Sequence, residues 1–117
     1  MNAITANAES QRRIFNHFAE RLEERFGGGL GALTLWRALA YALHAQDWKL
    51  LRPVARVNRK GRRVFVCRLA DGRFLFVLFD CQIGLPITVF REGMVIRREG
   101  MVIRREGKGT MQLGVPH

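Results

Sequence analysis

The stretch Arg62-Arg63-Val64-Phe65-Val66-Cys67-Arg68-Leu69-Ala70-Asp71-Gly72-Arg73-Phe74-Leu75-Phe76-Val77-Leu78-Phe79 decides the fold. Polar and apolar residues alternate over its first part, which predicts a strand over residues 62–69. Asp71-Gly72 is a strong hairpin signal, and residues 73–79 return from it as a strand apolar on both faces, as expected near the centre of a sheet. A two-residue loop at Asp71-Gly72 pairs Ala70 with Arg73, Arg68 with Leu75, Val66 with Val77 and Val64 with Phe79. In that register one face carries Phe65, Cys67, Leu69, Phe74, Phe76 and Leu78, and the other carries Arg62, Val64, Val66, Arg68, Arg73, Leu75, Val77 and Phe79. The first, aromatic face is where helices would pack.

Upstream, residues 50–57 read as a strand whose Pro53 places it at a sheet edge, followed by a turn at Asn58-Arg59-Lys60-Gly61. Downstream, residues 80–84 form a turn and 85–91 a further strand. Alternation puts Leu51, Ala55, Val57, Ile87 and Val89 with the core, and Arg52, Val54, Arg56, Thr88 and Phe90 on the open face. The N-terminal part has helical spacing instead. Ile14, Phe18, Leu22 and Phe26 recur every fourth residue within 8–26, with Phe15 widening the stripe, and Gly27-Gly28-Gly29 stops the helix. A second helix is expected over about 32–46, burying Leu35, Trp36, Leu39 and Leu43. The fold class is therefore α+β, with two N-terminal helices packed on one face of an antiparallel meander of about four strands, in a single domain over residues 1–91.

Residues 92–117 read as a basic tail. Within it Glu-Gly-Met-Val-Ile-Arg-Arg occurs at 92–98 and again, unchanged, at 99–105. Two copies are too few for a solenoid. The expectation is a surplus, poorly ordered copy, and the alternative is a small hairpin turned at Glu99-Gly100.

The 117 residues, 48% of them hydrophobic, suffice for one core and exclude wholesale disorder. Twenty Lys and Arg against ten Asp and Glu give a net charge of +10. All of that excess lies after residue 48, and residues 49–73 hold nine cations against Asp71 alone. Such a concentration suits phosphates or another anionic surface; a solvated basic surface is the plainer alternative. The longest apolar run, residues 74–79, is too short to span a bilayer, and the polar N-terminus lacks the apolar centre of a signal peptide, so the expected location is cytoplasmic. Cys67 and Cys81 lack metal-ligand spacing, and Gly27-Gly28-Gly29 precedes no phosphate-loop lysine. No metal and no cofactor are expected.

Two constellations carry chemistry. On the open sheet face Arg52, Arg56, Arg62, Arg68 and Arg73 fringe an apolar floor, with Phe79 and Phe90 placed to stack on unpaired bases, a platform for RNA. Cover by the C-terminal segment or by a partner protein is the competing reading of that face. On the first helix Arg13, His17, Arg21 and Arg25 recur at i+4 along one stripe. A histidine that titrates near neutrality beside arginines is what RNA cleavage by a ribose 2′-hydroxyl requires, although Glu20 and Glu24 would also pair with these arginines on a merely solvated flank.

The segment Asn16-His17-Phe18-Ala19-Glu20-Arg21-Leu22-Glu23-Glu24-Arg25-Phe26-Gly27 resembles the His-x-x-x-Arg-x-x-x-Arg opening of small bacterial and phage proteins related to the RelE-like and barnase-like toxins. Arg62-Arg63-Val64-Phe65-Val66, Phe76-Val77-Leu78-Phe79-Asp80 and Gly84-Leu85-Pro86-Ile87-Thr88-Val89-Phe90 resemble the later part of such chains, so the likeness covers residues 14–91. The resemblance implies a metal-independent ribonuclease, with His17 as general acid/base, Arg21 and Arg63 stabilising phosphate, and Thr88 as a hydroxyl contact. It departs from the pattern in the last strand, where Phe90 lacks a hydroxyl, and in the duplicated tail. Arg63 alternates toward the helices and Thr88 away from them.

Three functions follow as expectations. The first is a toxin-like endoribonuclease acting on RNA, free or ribosome-associated, and neutralised by an antitoxin or immunity protein. The second is a non-enzymatic phage or mobile-element protein that binds nucleic acid or blocks a nucleoprotein machine, such as an inhibitor of a CRISPR complex. A DNA-binding regulator is the third, without a helix-turn-helix to support it.

Overall fold

In the computed structural model, which describes residues 8–56, 61–96, 101–106 and 110–114, the chain begins with two helices, α1 (Ala8–Phe26) and α2 (Ala32–His44). The four-residue stripe buries Phe18, Leu22 and Phe26 of α1. Gly27 ends the helix at φ +83, and its N–H closes on the Glu23 carbonyl at 2.9 Å. Along α2 the buried residues are Trp36, Leu39 and Ala42, with Leu35 and Leu43 half-buried beside them. The Trp36 indole donates to the Pro86 carbonyl at 3.0 Å and meets Phe15 edge-on at 5.4 Å, locking both helices to the sheet.

The sheet is an antiparallel meander of β1 (Arg52–Arg56), β2 (Arg62–Arg68), β3 (Phe74–Asp80) and β4 (Leu85–Phe90), in that spatial order. With the helices it makes the α+β architecture expected from the sequence. Pro53 sits in edge strand β1, where a missing N–H is tolerated.

The register corrects one expectation. Cys67 pairs with Leu75, Val66 with Phe76, Phe65 with Val77 and Val64 with Leu78, one residue away from the two-residue loop. Leu69 donates to the Arg73 carbonyl at 2.8 Å, which closes a loop of three residues. A two-residue type I′ turn needs positive φ at both Asp71 and Gly72, and only Gly72 has it, at +92. Asp71 instead accepts the Arg73 N–H through Oδ1 at 2.9 Å.

That slip turns β3 over. Leu75, Val77 and Phe79 join Phe65, Cys67, Leu51 and Val89 in the core under the helices. Phe74, Phe76 and Leu78 lie with Val64, Val66, Val54 and Phe90 on the opposite face. Thr88, paired with Leu78, also falls on that opposite face, and Ile87 is the extra residue of a bulge in β4. Val57 and the turn residues 58–60 lie outside the described residues.

The second face is not an open platform. Val64 and Phe76 are wholly buried there, and Val66, Leu78 and Phe90 nearly so, with Met94 packed against them. Beyond β4 the chain forms a second antiparallel sheet of β5 (Val95–Ile96), β6 (Met101–Glu106) and β7 (Thr110–Gly114), and β7 runs close to β1. Among the described residues outside the four-stranded sheet, Met94 is the side chain packed on the second face. The copies of the heptapeptide are strand partners, Val95 opposite Val102 and Ile96 opposite Met101. The hairpin alternative therefore replaces the surplus copy, with the turn residues Glu99 and Gly100 outside the described residues. No helix among the described residues is long and apolar enough to cross a membrane.

Candidate nucleic-acid interface

Several cations singled out from the sequence are committed to the fold. Arg73 pairs with Asp71 at 2.7 Å and donates to the Phe26 carbonyl at 3.0 Å. Arg25 donates to the Val89 carbonyl at 2.6 Å and lies over the Phe90 ring at 5.3 Å. Partial burial, with Arg21 and Arg91 nearby, pushes its pKa below the ordinary arginine value. Arg62 meets Asp80 at 3.5 Å, and Arg13 meets Glu9 at 3.7 Å in the open. Phe79, expected to stack on bases, is fully buried in the main core, and Phe90 is buried beneath Arg25.

The four residues that the resemblance casts as catalytic come from α1, β2 and β4. His17 is exposed on α1, one residue before buried Phe18. Arg21 is held by Glu24 at 2.7 Å and Glu20 at 3.6 Å. Arg63 pairs with Phe79 on the helix face of the sheet and lines a hollow at the far end of α2. Thr88 is on the other face, with its buried Oγ1 lacking a hydrogen-bond partner among the described residues.

Arg52, Arg56 and Arg68 are exposed and make no ion pair among the described residues. Arg52 and Arg68 line a groove of about 260 Å³ together with Lys49, Leu50, Val66, Cys67 and Phe74. Arg68 lies over the Phe74 ring at 5.7 Å. Burial pushes the Cys67 thiol up to about 11, so the sulfur is a neutral wall. Three cations around an apolar floor, none of them in an ion pair among the described residues, form a site that favours an anion.

The segment that presents Lys49 was not singled out in the sequence. Asp47 holds it: the Oδ1 accepts the N–H groups of Lys49 and Leu50, each at 3.2 Å, and the carbonyl accepts Leu51 at 2.9 Å. Leu51 is thereby driven into the core, while Trp48 and Leu50 stay exposed, at 45% and 42%. An exposed aromatic side chain such as Trp48 beside unpaired cations is what stacking on unpaired bases needs, with Leu50 adding apolar contact. The readable signal was Trp48-Lys49-Leu50 just past a helix end, out of phase with its stripe.

α2 ends in a Schellman motif, with Asp47 N–H on the Ala42 carbonyl at 2.9 Å and Gln46 N–H on Leu43 at 3.1 Å. The left-handed position belongs to Gln46, at φ +55. Glutamine there, where glycine is usual, costs roughly 1 kcal/mol. Gln46 lines a second hollow, of about 510 Å³, with His44, Trp48, Arg63, Phe65 and Cys81.

Compared with known proteins, the chain matches no family model, no curated protein and no solved structure.

Proposed function

We propose that this protein is a non-enzymatic RNA-binding module that acts in the cytoplasm by occupying its target, in the manner of an inhibitor of a nucleoprotein machine. The observation that carries the reading is the groove of Lys49, Arg52 and Arg68, three cations that make no ion pair among the described residues, beside exposed Trp48 and Leu50. Arg and Lys neutralise backbone phosphate, and the adjoining Trp48 stacks on bases that only a single strand or a loop leaves free. The separation of Arg63 and Thr88 on opposite faces of the sheet, with His17 and Arg21 on α1, favours binding over cleavage. The test is RNA binding across a salt series by the intact chain and by a Lys49→Glu, Arg52→Glu, Arg68→Glu variant. Binding that is unchanged at low salt in a folded variant sinks this reading.

One observation keeps a second reading, a toxin-like endoribonuclease held in check by an antitoxin or immunity protein. His17 is exposed with no hydrogen bond or ion pair among the described residues, and Arg13 and Arg21 stand one helical turn to either side. Induced expression in bacteria with and without His17→Ala separates the two readings. Growth arrest that this substitution abolishes supports the enzyme.

A further inference from the structure

The hollow at the end of α2 is distinct from the basic groove. Its volume of about 510 Å³ falls within the span of small-molecule sites, about 300–1,000 Å³. Three features of its lining point to one class of occupant. Trp48 lies parallel to Phe65 in an offset stack, with centroids 5.9 Å apart and planes 3° from parallel, and 45% of it stays exposed, which leaves indole surface for a further ring. Arg63 and His44 are exposed at the rim, neither in an ion pair among the described residues, and His44 also sits at the negative end of the α2 dipole. Gln46 is the one non-glycine residue with positive φ among the described residues. Glycine would relieve that backbone, yet it would remove a carboxamide from the hollow's wall.

An aromatic plane, a guanidinium and a carboxamide around one cavity match the three parts of a nucleotide. The base has a π-face, the phosphate suits the planar fork of arginine, and the edge of the base presents donors and acceptors that an amide can pair in twos. We propose that this hollow binds a single nucleotide, its base stacked on the exposed indole surface of Trp48, its edge paired with Gln46 and its phosphate held by Arg63 and His44. The proposal deepens and rests on the RNA-binding reading, in which the occupant is one unpaired nucleotide of a bound strand; a free nucleotide has the same chemistry.

The intact chain is titrated with AMP, CMP, GMP and UMP, with the matching nucleosides and with a short single-stranded RNA, following tryptophan fluorescence. Saturable quenching by at least one nucleotide is expected. Arg63→Gln should weaken nucleotide binding roughly tenfold and leave nucleoside binding nearly unchanged, since only the phosphate contact is lost. Gln46→Gly should raise the thermal midpoint by a few degrees while weakening nucleotide binding several-fold. A purely structural role for Gln46 would move only the midpoint. Lys49→Glu, Arg52→Glu, Arg68→Glu should lose RNA affinity and keep mononucleotide binding. Mononucleotide binding without RNA binding makes the occupant a free nucleotide, so the hollow's assignment stands and the RNA-binding reading falls. RNA binding that depends on the groove but ignores both hollow substitutions overturns the hollow alone. Absence of saturable quenching by every nucleotide and by the RNA also overturns it.

Discussion

Arg73 Nη1 donates to the Phe26 carbonyl at 3.0 Å, and the same guanidinium lies 5.6 Å from the Phe26 ring. The β2–β3 turn is thereby fastened to the last turn of α1, where a cation also meets the negative end of the helix dipole. Asp71 completes the arrangement by accepting Arg73 Nε at 2.8 Å. A residue that sequence reasoning assigns to nucleic acid is instead a clamp between two elements 47 positions apart.

Arg73→Ala should lower stability by about 1–2 kcal/mol, a charge-assisted hydrogen bond discounted for partial exposure. Its effect on RNA affinity should be slight. Denaturant midpoints and a binding titration on one preparation check both halves.

The clamp also has a pH signature. Hydrogen bonds from Arg73 hold the Asp71 carboxyl below its ordinary value. A folded pKa depressed in this way gives stability that is present above the unfolded pKa and lost as pH falls through the folded one. The stability curves of the native chain and of Asp71→Asn should thus converge in acid and separate toward neutrality.

Phe79→Ala should destabilise by about 3–5 kcal/mol, because Phe79 is buried against Phe65 in the core beneath the helices. A small loss, with RNA affinity falling instead, would restore the two-residue loop and its register.

The second face needs its cover. A chain ending at Glu92 loses Met94 and the sheet β5–β7, and should expose Val64, Val66, Phe76, Leu78 and Phe90 as one apolar surface. Dye binding and self-association of the shortened chain are the expected results; a monomer that binds no dye would show that the C-terminal sheet covers nothing.

Reversing Lys49, Arg52 and Arg68 should make the dependence of log affinity on log salt shallower by about 2, three phosphate contacts on a single strand. Thr88→Val gives an opposite kind of test. With its buried Oγ1 unpartnered among the described residues, the substitution should stabilise the fold by about 1 kcal/mol and leave RNA binding intact. Loss of RNA cleavage in that variant would favour the enzyme reading.

Both helices, the four-stranded meander and the edge position of Pro53 were legible in the sequence, because each rests on local chemistry: a four-residue apolar period in α1, a glycine run that stops it, alternation in β2 and a turn dipeptide after it. The orientation of β3 was not. Residues 74–79 are apolar on both faces, so alternation carries no sign there, and the register fell to the φ angles of Asp71 and Gly72. The site was legible only as a charge excess over residues 49–73.

Which of those charges are free is decided by distance through the folded chain. Arg73 reaches a backbone carbonyl of a remote element, as Arg25 does outside that stretch, whereas Arg52 and Arg68 come together with Lys49 around a groove that no local pattern encodes. The heptapeptide repeat shows the same division. Its identity is written in the sequence, yet the pairing of Val95 with Val102 exists only because the chain turns back on itself, and one copy's ladder hydrogen bonds need the other as partner.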